Sequence, residues 1–173
     1  MRLLLSFILT LLLGGCSEMK PEDYKNTKPI IKIEEYFQGD VKAWGMLLGR
    51  SGEVKRQFVA DMKGEFDGQN LILDETFIWN DGEKQERRWT IKKVGDNRYE
   101  GTAPDVVGTA KGVSFGSAFK FEYKLLIPYK DKKIKVRFDD WIFKQDKKTA
   151  INKATITKFG FKVGELIVFF VKD

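Results

Sequence analysis

The chain has 173 residues, 42% of them hydrophobic and 13% aromatic, with 31 Lys and Arg against 25 Asp and Glu. It contains one Cys and no His, which removes Ser/His/Asp and Cys/His nucleophilic pairs, His-ligated zinc or haem, and an intramolecular disulfide. No side chain has an unperturbed pKa near neutrality, no metal or cofactor ligand set can be read, and the length fits one domain able to bury roughly 70% of its unfolded surface.

Met1-Arg2 is a short cationic start, and residues 3–13 are apolar except for Ser6 and Thr10. Spanning a bilayer takes about 20 apolar residues, so residues 1–15 read as a signal peptide. The stretch ends in Leu13-Gly14-Gly15-Cys16, which resembles the lipobox of bacterial lipoproteins. The resemblance implies cleavage before Cys16 and acylation of its thiol, anchoring the chain to a membrane. An ordinary secretory signal with an incidental Cys is the alternative. Ser17, where an Asp would imply inner-membrane retention, implies the periplasmic side of the outer membrane. Residues 16–29 then form a lipidated Cys and a polar tether carrying Pro21, Pro29, Lys20, Lys25 and Lys28. Residues 30–37 are apolar on one side and predict one or two helical turns stopped by Gly39.

From Gly39 onward the apolar residues recur with period two, as in half-buried antiparallel strands, and residues 30–173 read as one β domain. In Val54–Phe66, Phe58, Ala60, Met62 and Phe66 oppose Gln57, Asp61, Lys63 and Glu65. In residues 118–127, Phe119, Phe121, Tyr123, Leu125 and Ile127 oppose Lys120, Glu122 and Lys124. Asp67-Gly68, Asn80-Asp81-Gly82, Gly95-Asp96-Asn97 and Tyr129-Lys130-Asp131-Lys132 mark the turns. The expected fold is all-β, an antiparallel up-and-down barrel of about eight to ten strands behind a short helical segment. A β-sandwich is the alternative, and the short connections argue against it.

Gly39 followed by Trp44 resembles the Gly-x-x-x-x-Trp opening of lipocalin-like barrels, which implies that Trp44 plugs the closed end. Ala43-Trp44-Gly45, Asp74-Glu75-Thr76-Phe77, Asp81-Gly82-Glu83, Arg88-Trp89, the run from Gly101 to Gly108, Asp139-Asp140-Trp141 and Lys158-Phe159-Gly160 together resemble a domain-of-unknown-function family of Gram-negative lipoproteins with a lipocalin-like domain. The resemblance implies fold and address. It carries no activity and assigns no catalytic residue.

Polar residues on apolar faces mark the candidate site. In Asn70–Trp79 the row Leu71, Leu73, Phe77 and Trp79 also holds Glu75. A three-residue turn with left-handed Gly82 would set Glu75 opposite Arg87 and Leu73 opposite Trp89. The pair reads as a structural ion pair, as a polar anchor for a ligand, or as part of an acid/base site. In residues 133–143 Asp140 shares a face with Ile134, Val136, Phe138 and Ile142, while Trp141 and Phe143 face out beneath the N-terminal turns. Gly101, Gly108, Gly112 and Gly116 either permit sharp bending or leave room for a ligand. Lysines around residues 130–137 and 144–148 read as solvated tips, with attraction to anionic lipid as the alternative. A periplasmic address disfavours nucleic acid as a partner despite the pI of about 9.2.

The expectation is a non-enzymatic, outer-membrane-anchored barrel holding an apolar or amphipathic small molecule or lipid. Glu75, Arg87 and Asp140 would be polar anchors, and Trp44, Trp79, Trp89, Phe119, Phe121 and Tyr123 the walls. A side-chain-filled barrel serving envelope structure or assembly is the alternative.

Overall fold

The computed structural model describes residues 19–173. The signal peptide expected at 1–15 and the acylation expected at Cys16 lie outside the described residues. After a 3-10 turn (Pro21–Tyr24) and helix α1 (Ile33–Tyr36) come ten strands. They are β1 (Gly39–Gly49), β2 (Val54–Phe66), β3 (Asn70–Trp79), β4 (Lys84–Lys93), β5 (Arg98–Thr102), β6 (Ala110–Phe115), β7 (Ala118–Tyr129), β8 (Lys132–Lys144), β9 (Thr149–Lys158) and β10 (Phe161–Lys172). Each pairs antiparallel with its neighbours in sequence, and β1 pairs with β10, closing the barrel. The up-and-down barrel expected from the alternation is the observed architecture, with the first and last strands paired to each other.

The β3–β4 turn sets the register of the candidate site. Gly82 sits at φ +86°, its N–H donates to the Trp79 carbonyl at 2.9 Å, and the Trp79 N–H donates to the Glu83 carbonyl at 3.0 Å. Glu75 therefore faces Arg87 and Leu73 faces Trp89, all with side chains on the interior face.

Helix α1 seals one end. Ile31, Ile33, Tyr36 and Phe37 are buried, and Phe37 packs edge-on against Tyr36 and Phe170. The Tyr36 hydroxyl donates to the Lys148 carbonyl at 2.8 Å. Glu34 is buried with them, accepting from Lys93 Nζ at 2.6 Å and from the Tyr99 hydroxyl at 2.8 Å. Burial opposes its charge, yet the bonds from Lys93, its own backbone and Tyr99 together hold its pKa below the usual carboxylate value.

Above this lid the lumen is filled by rings. Tyr99, Phe119, Phe121, Tyr123 and Phe138 contact one another in sequence, and Trp89 packs on both Phe121 and Tyr123. Two interior glycines make this filling sterically feasible. A Cβ at Gly101 would come within 2.5 Å of the Phe121 ring, and one at Gly112 within 2.9 Å of the Phe119 ring. The small residues of β5 and β6 thus house aromatic side chains rather than leaving space for a ligand.

Two expectations are corrected. Trp44 neither plugs the closed end nor lines the interior; it points outward and is 44% exposed. The interior parity of β1 belongs to Val41, Ala43, Gly45 and Leu47, while Trp44 lies in an outer row with Ile151, Phe169, Val59 and Ile78, each paired across to the next strand. Apolar residues stand on both faces of β1 and β10, so alternation alone cannot choose the inward phase there. The polar tether, in turn, is held to the barrel at Tyr24 and Thr27. Tyr24 packs against Trp141 and Phe143, and the Thr27 hydroxyl bonds to the Tyr24 carbonyl at 2.7 Å and pairs with Ser117 Oγ at 2.8 Å. One aromatic and one hydroxyl suffice to hold a segment that composition reads as free.

Candidate functional site

The end opposite α1 is open. Leu47, Phe77, Trp79, Ile127, Ile134 and Leu166 project inward there and pack on the core, but all remain partly exposed. They form an apolar collar at the mouth. Arg56 lies over the Trp79 ring, 4.1 Å from its centroid, and its guanidinium bonds to Asp81 and Glu83 in the adjoining turn. The Trp79 indole N–H donates to Gln85 at 3.3 Å.

Below the collar, at mid-barrel, lies a polar cluster. Glu75 and Arg87 both point inward as expected, but the nearest approach between them is 3.9 Å. Arg87 gives its hydrogen bonds to Asp105, through Nε at 3.1 Å and Nη2 at 2.7 Å, both to Oδ2. Asp140, also inward, accepts from the Tyr123 hydroxyl at 3.0 Å and from the Asn152 side chain. Asn152 in turn donates to the Trp141 carbonyl at 3.0 Å. Glu75 Oε2 and Asp105 Oδ1 are buried and receive no hydrogen bond.

Asp105 arrives by way of a break in the wall. Strand β4 pairs with β5 only over residues 90–93, leaving residues 84–89 without a partner on that side. Residues 103–107 instead attach to β7, with the Leu126 N–H donating to the Asp105 carbonyl at 2.9 Å and the Val107 N–H to the Lys124 carbonyl at 2.8 Å. A recess of about 450 Å³ indents the wall here, lined by Glu75, Arg87 and Pro104 with Asp74, Glu86 and Arg88. Glu75 and Arg87 are therefore reached from the side of the barrel.

Three carboxylates share one guanidinium in low-dielectric surroundings. Burial, first, and then the charges of Asp105 and Asp140 raise the Glu75 pKa to about 7, although Arg87 and the Trp89 indole pull it back. Burial likewise lifts Asp140 to about 6 against the hydrogen bonds of Asn152 and Tyr123, and raises the Tyr123 phenol. A chain without histidine thus acquires two groups that titrate close to neutrality.

Glu75, Arg87, Asp140 and Tyr123 are brought together, with Trp89 against them. Phe119 and Phe121 lie in the ring stack below, Trp79 stands at the collar, and Trp44 is outside. Sequence reasoning missed Asp105 and Asn152. Asp105 lies in a loop with no period to give it a face. Asn152 alternates with Ala150 and Ala154, and a polar residue in that small apolar row was a signal available to be read.

Residues 10–172 match the family described as "Protein of unknown function (DUF3833)", and the chain belongs to it. No curated protein matches the sequence. Among solved structures, an S-type phycobiliprotein lyase, CPES, from Guillardia theta is similar with a TM-score of 0.59 and 10% identity, the match covering 83% of this chain and 93% of that one. A protein of unknown function from the DUF3598 family of Nostoc punctiforme is similar with a TM-score of 0.62 and 11% identity, covering 84% of this chain and 51% of that one. Both are likenesses of fold, and they agree with the lipocalin-like barrel.

Proposed function

We propose that the chain is a lipoprotein of the periplasmic side of the outer membrane whose barrel binds one amphipathic small molecule at its open end. The apolar part of the ligand lies against the collar, and its polar group donates hydrogen bonds to Glu75 and Asp105. The observation that carries this reading is the pair of buried acceptors, Glu75 Oε2 and Asp105 Oδ1, left without a donor beneath a water-accessible apolar mouth. A buried acceptor without a partner costs about 1–3 kcal/mol, and a ligand N–H or O–H would remove that cost. Three carboxylates around one guanidinium favour an ammonium or other N–H-bearing head over an anionic one. The Leu13-Gly14-Gly15-Cys16 sequence supports the membrane address. In this reading the site binds, with Arg87 held by Asp105 and Tyr123 by Asp140 as its fixed frame.

The rings that fill the lumen beneath the mouth favour a second reading, an envelope lipoprotein of structural role with no ligand. Native mass spectrometry of detergent-extracted protein separates the two. Binding predicts an acylated chain carrying a small-molecule adduct, lost when Glu75→Gln and Asp105→Asn are combined. An acylated chain with no adduct would support the structural role.

A further inference from the structure

At the mouth, the β9–β10 turn carries Phe159 and Phe161, which are 88% and 72% exposed, the most exposed large apolar side chains of the described residues. Phe159 holds φ +52°, a left-handed conformation that bulky residues rarely adopt. Lys158 and Lys162 flank the pair, with Lys158 Nζ 5.3 Å from the Phe159 ring centroid. Beside it stands the β7–β8 turn, with exposed Tyr129 followed by Lys130, Lys132, Lys133 and Lys135 and a single acid, Asp131. Arg137 pairs with Thr157, so Lys135 comes level with Phe159 and the rest of this lysine-rich hairpin runs on past the β9–β10 turn. Among the described residues Lys130, Lys132, Lys133, Lys135 and Lys158 form no ion pair, while Lys162 pairs with Glu165.

Aromatic rings at two neighbouring hairpin tips, Phe159 and Phe161 on one and Tyr129 on the other, with lysines that form no ion pair between and beside them, match a partner that is apolar within and anionic at its surface. A phospholipid bilayer has that order, with acyl chains beneath phosphates, and long lysine stems can lie along the boundary with their ammonium groups at phosphate level. We propose that these two tips dock on an anionic phospholipid surface. Phe159 and Phe161 enter the headgroup boundary, the lysines contact lipid phosphates, and the mouth faces the bilayer. This contact is separate from any acyl chain on Cys16 and does not depend on it.

The test uses the full chain carrying Phe159→Trp, reconstituted in vesicles with brominated acyl chains. One set contains phosphatidylethanolamine and phosphatidylglycerol, the other phosphatidylcholine alone, and the signal of the parent protein is subtracted. The expected result is a blue-shifted indole emission quenched about two-fold in the phosphatidylglycerol vesicles. The effect should disappear in phosphatidylcholine, in about 0.5 M salt, and when Lys130, Lys132, Lys133 and Lys135 are all changed to Gln. An unchanged melting temperature will show that the variants fold. Emission that stays water-like in both vesicle types would overturn the proposal, as would equal quenching in phosphatidylcholine. A shift that needs no lipid and grows with protein concentration would assign the tips to a second copy and also overturn it. Intact mass reports Cys16 acylation separately, so phosphatidylglycerol-dependent quenching of an unacylated chain would support the docking while contradicting the anchor.

Discussion

Arg87 pairs with Asp105 at 2.7 Å, although the residue facing Arg87 across the β3–β4 ladder is Glu75. The guanidinium reaches past its ladder neighbour to a loop because the wall is open there, and Glu75 keeps a carboxylate oxygen without a partner.

Arg87→Met should therefore be costly, leaving Asp105 without its cation. A loss of about 2–3 kcal/mol is expected in denaturant unfolding, below the full cost of breaking a deeply buried pair because Asp105 keeps some solvent contact. Adding Asp105→Asn to Arg87→Met should recover part of it, whereas an additive double variant would mean that the pair is not coupled.

The raised carboxyls give stability a particular pH dependence. Glu75 titrates at about 7 and Asp140 at about 6 when folded, both above their ordinary values. Folding therefore takes up protons between roughly pH 4 and 7, and stability falls as pH rises through that window. Each group contributes on the order of 2 kcal/mol, so the melting temperature should be several degrees higher at pH 5 than at pH 8. Glu75→Gln should flatten the profile and stabilise the protein at pH 8. A melting temperature that rises from pH 5 to pH 8 would contradict the assignment.

Gly101 is a packing position. Gly101→Ala places a Cβ against the Phe121 ring and should cost about 1–3 kcal/mol through overpacking. Phe121→Leu on that background should lessen the penalty, since the smaller side chain clears the added methyl. Chemical denaturation of the two variants checks this.

Tyr24 clips the N-terminal strap to the barrel. Tyr24→Ala should lower global stability by about 1 kcal/mol or less, yet sharply increase protease cleavage within residues 20–29. Unchanged cleavage would mean that the ring contacts with Trp141 and Phe143 do not hold the strap.

Much of this arrangement was legible in the sequence. Period-two rows in β2, β3, β7 and β8 have one apolar face each, so Glu75 and Asp140 could be placed inside, and the left-handed Gly82 fixed the partner of Glu75 through the register. Trp44 has no legible side in the sequence because apolar residues stand on both faces of β1, which removes the phase. Asp105 was missed because its position depends on where β5 ends and on two loop hydrogen bonds to β7, neither of which leaves a periodic trace. The N-terminal segment has the composition of a free tether because its docking rests on two side chains, Tyr24 and Thr27, within an otherwise polar stretch.

An amphipathic molecule held at the mouth by a donor group on Glu75 and Asp105 must bind with an affinity set by its head group. Calorimetric titration with three probes of equal chain length, decylammonium, decanol and decanoate, measures this dependence. Saturable binding is predicted for decylammonium, weaker binding for decanol and none for decanoate, with decylammonium affinity falling at least about ten-fold in Glu75→Gln, equivalent to 1.4 kcal/mol. Equal affinity for decanoate and decylammonium, or affinity unchanged by Glu75→Gln, would contradict the claim.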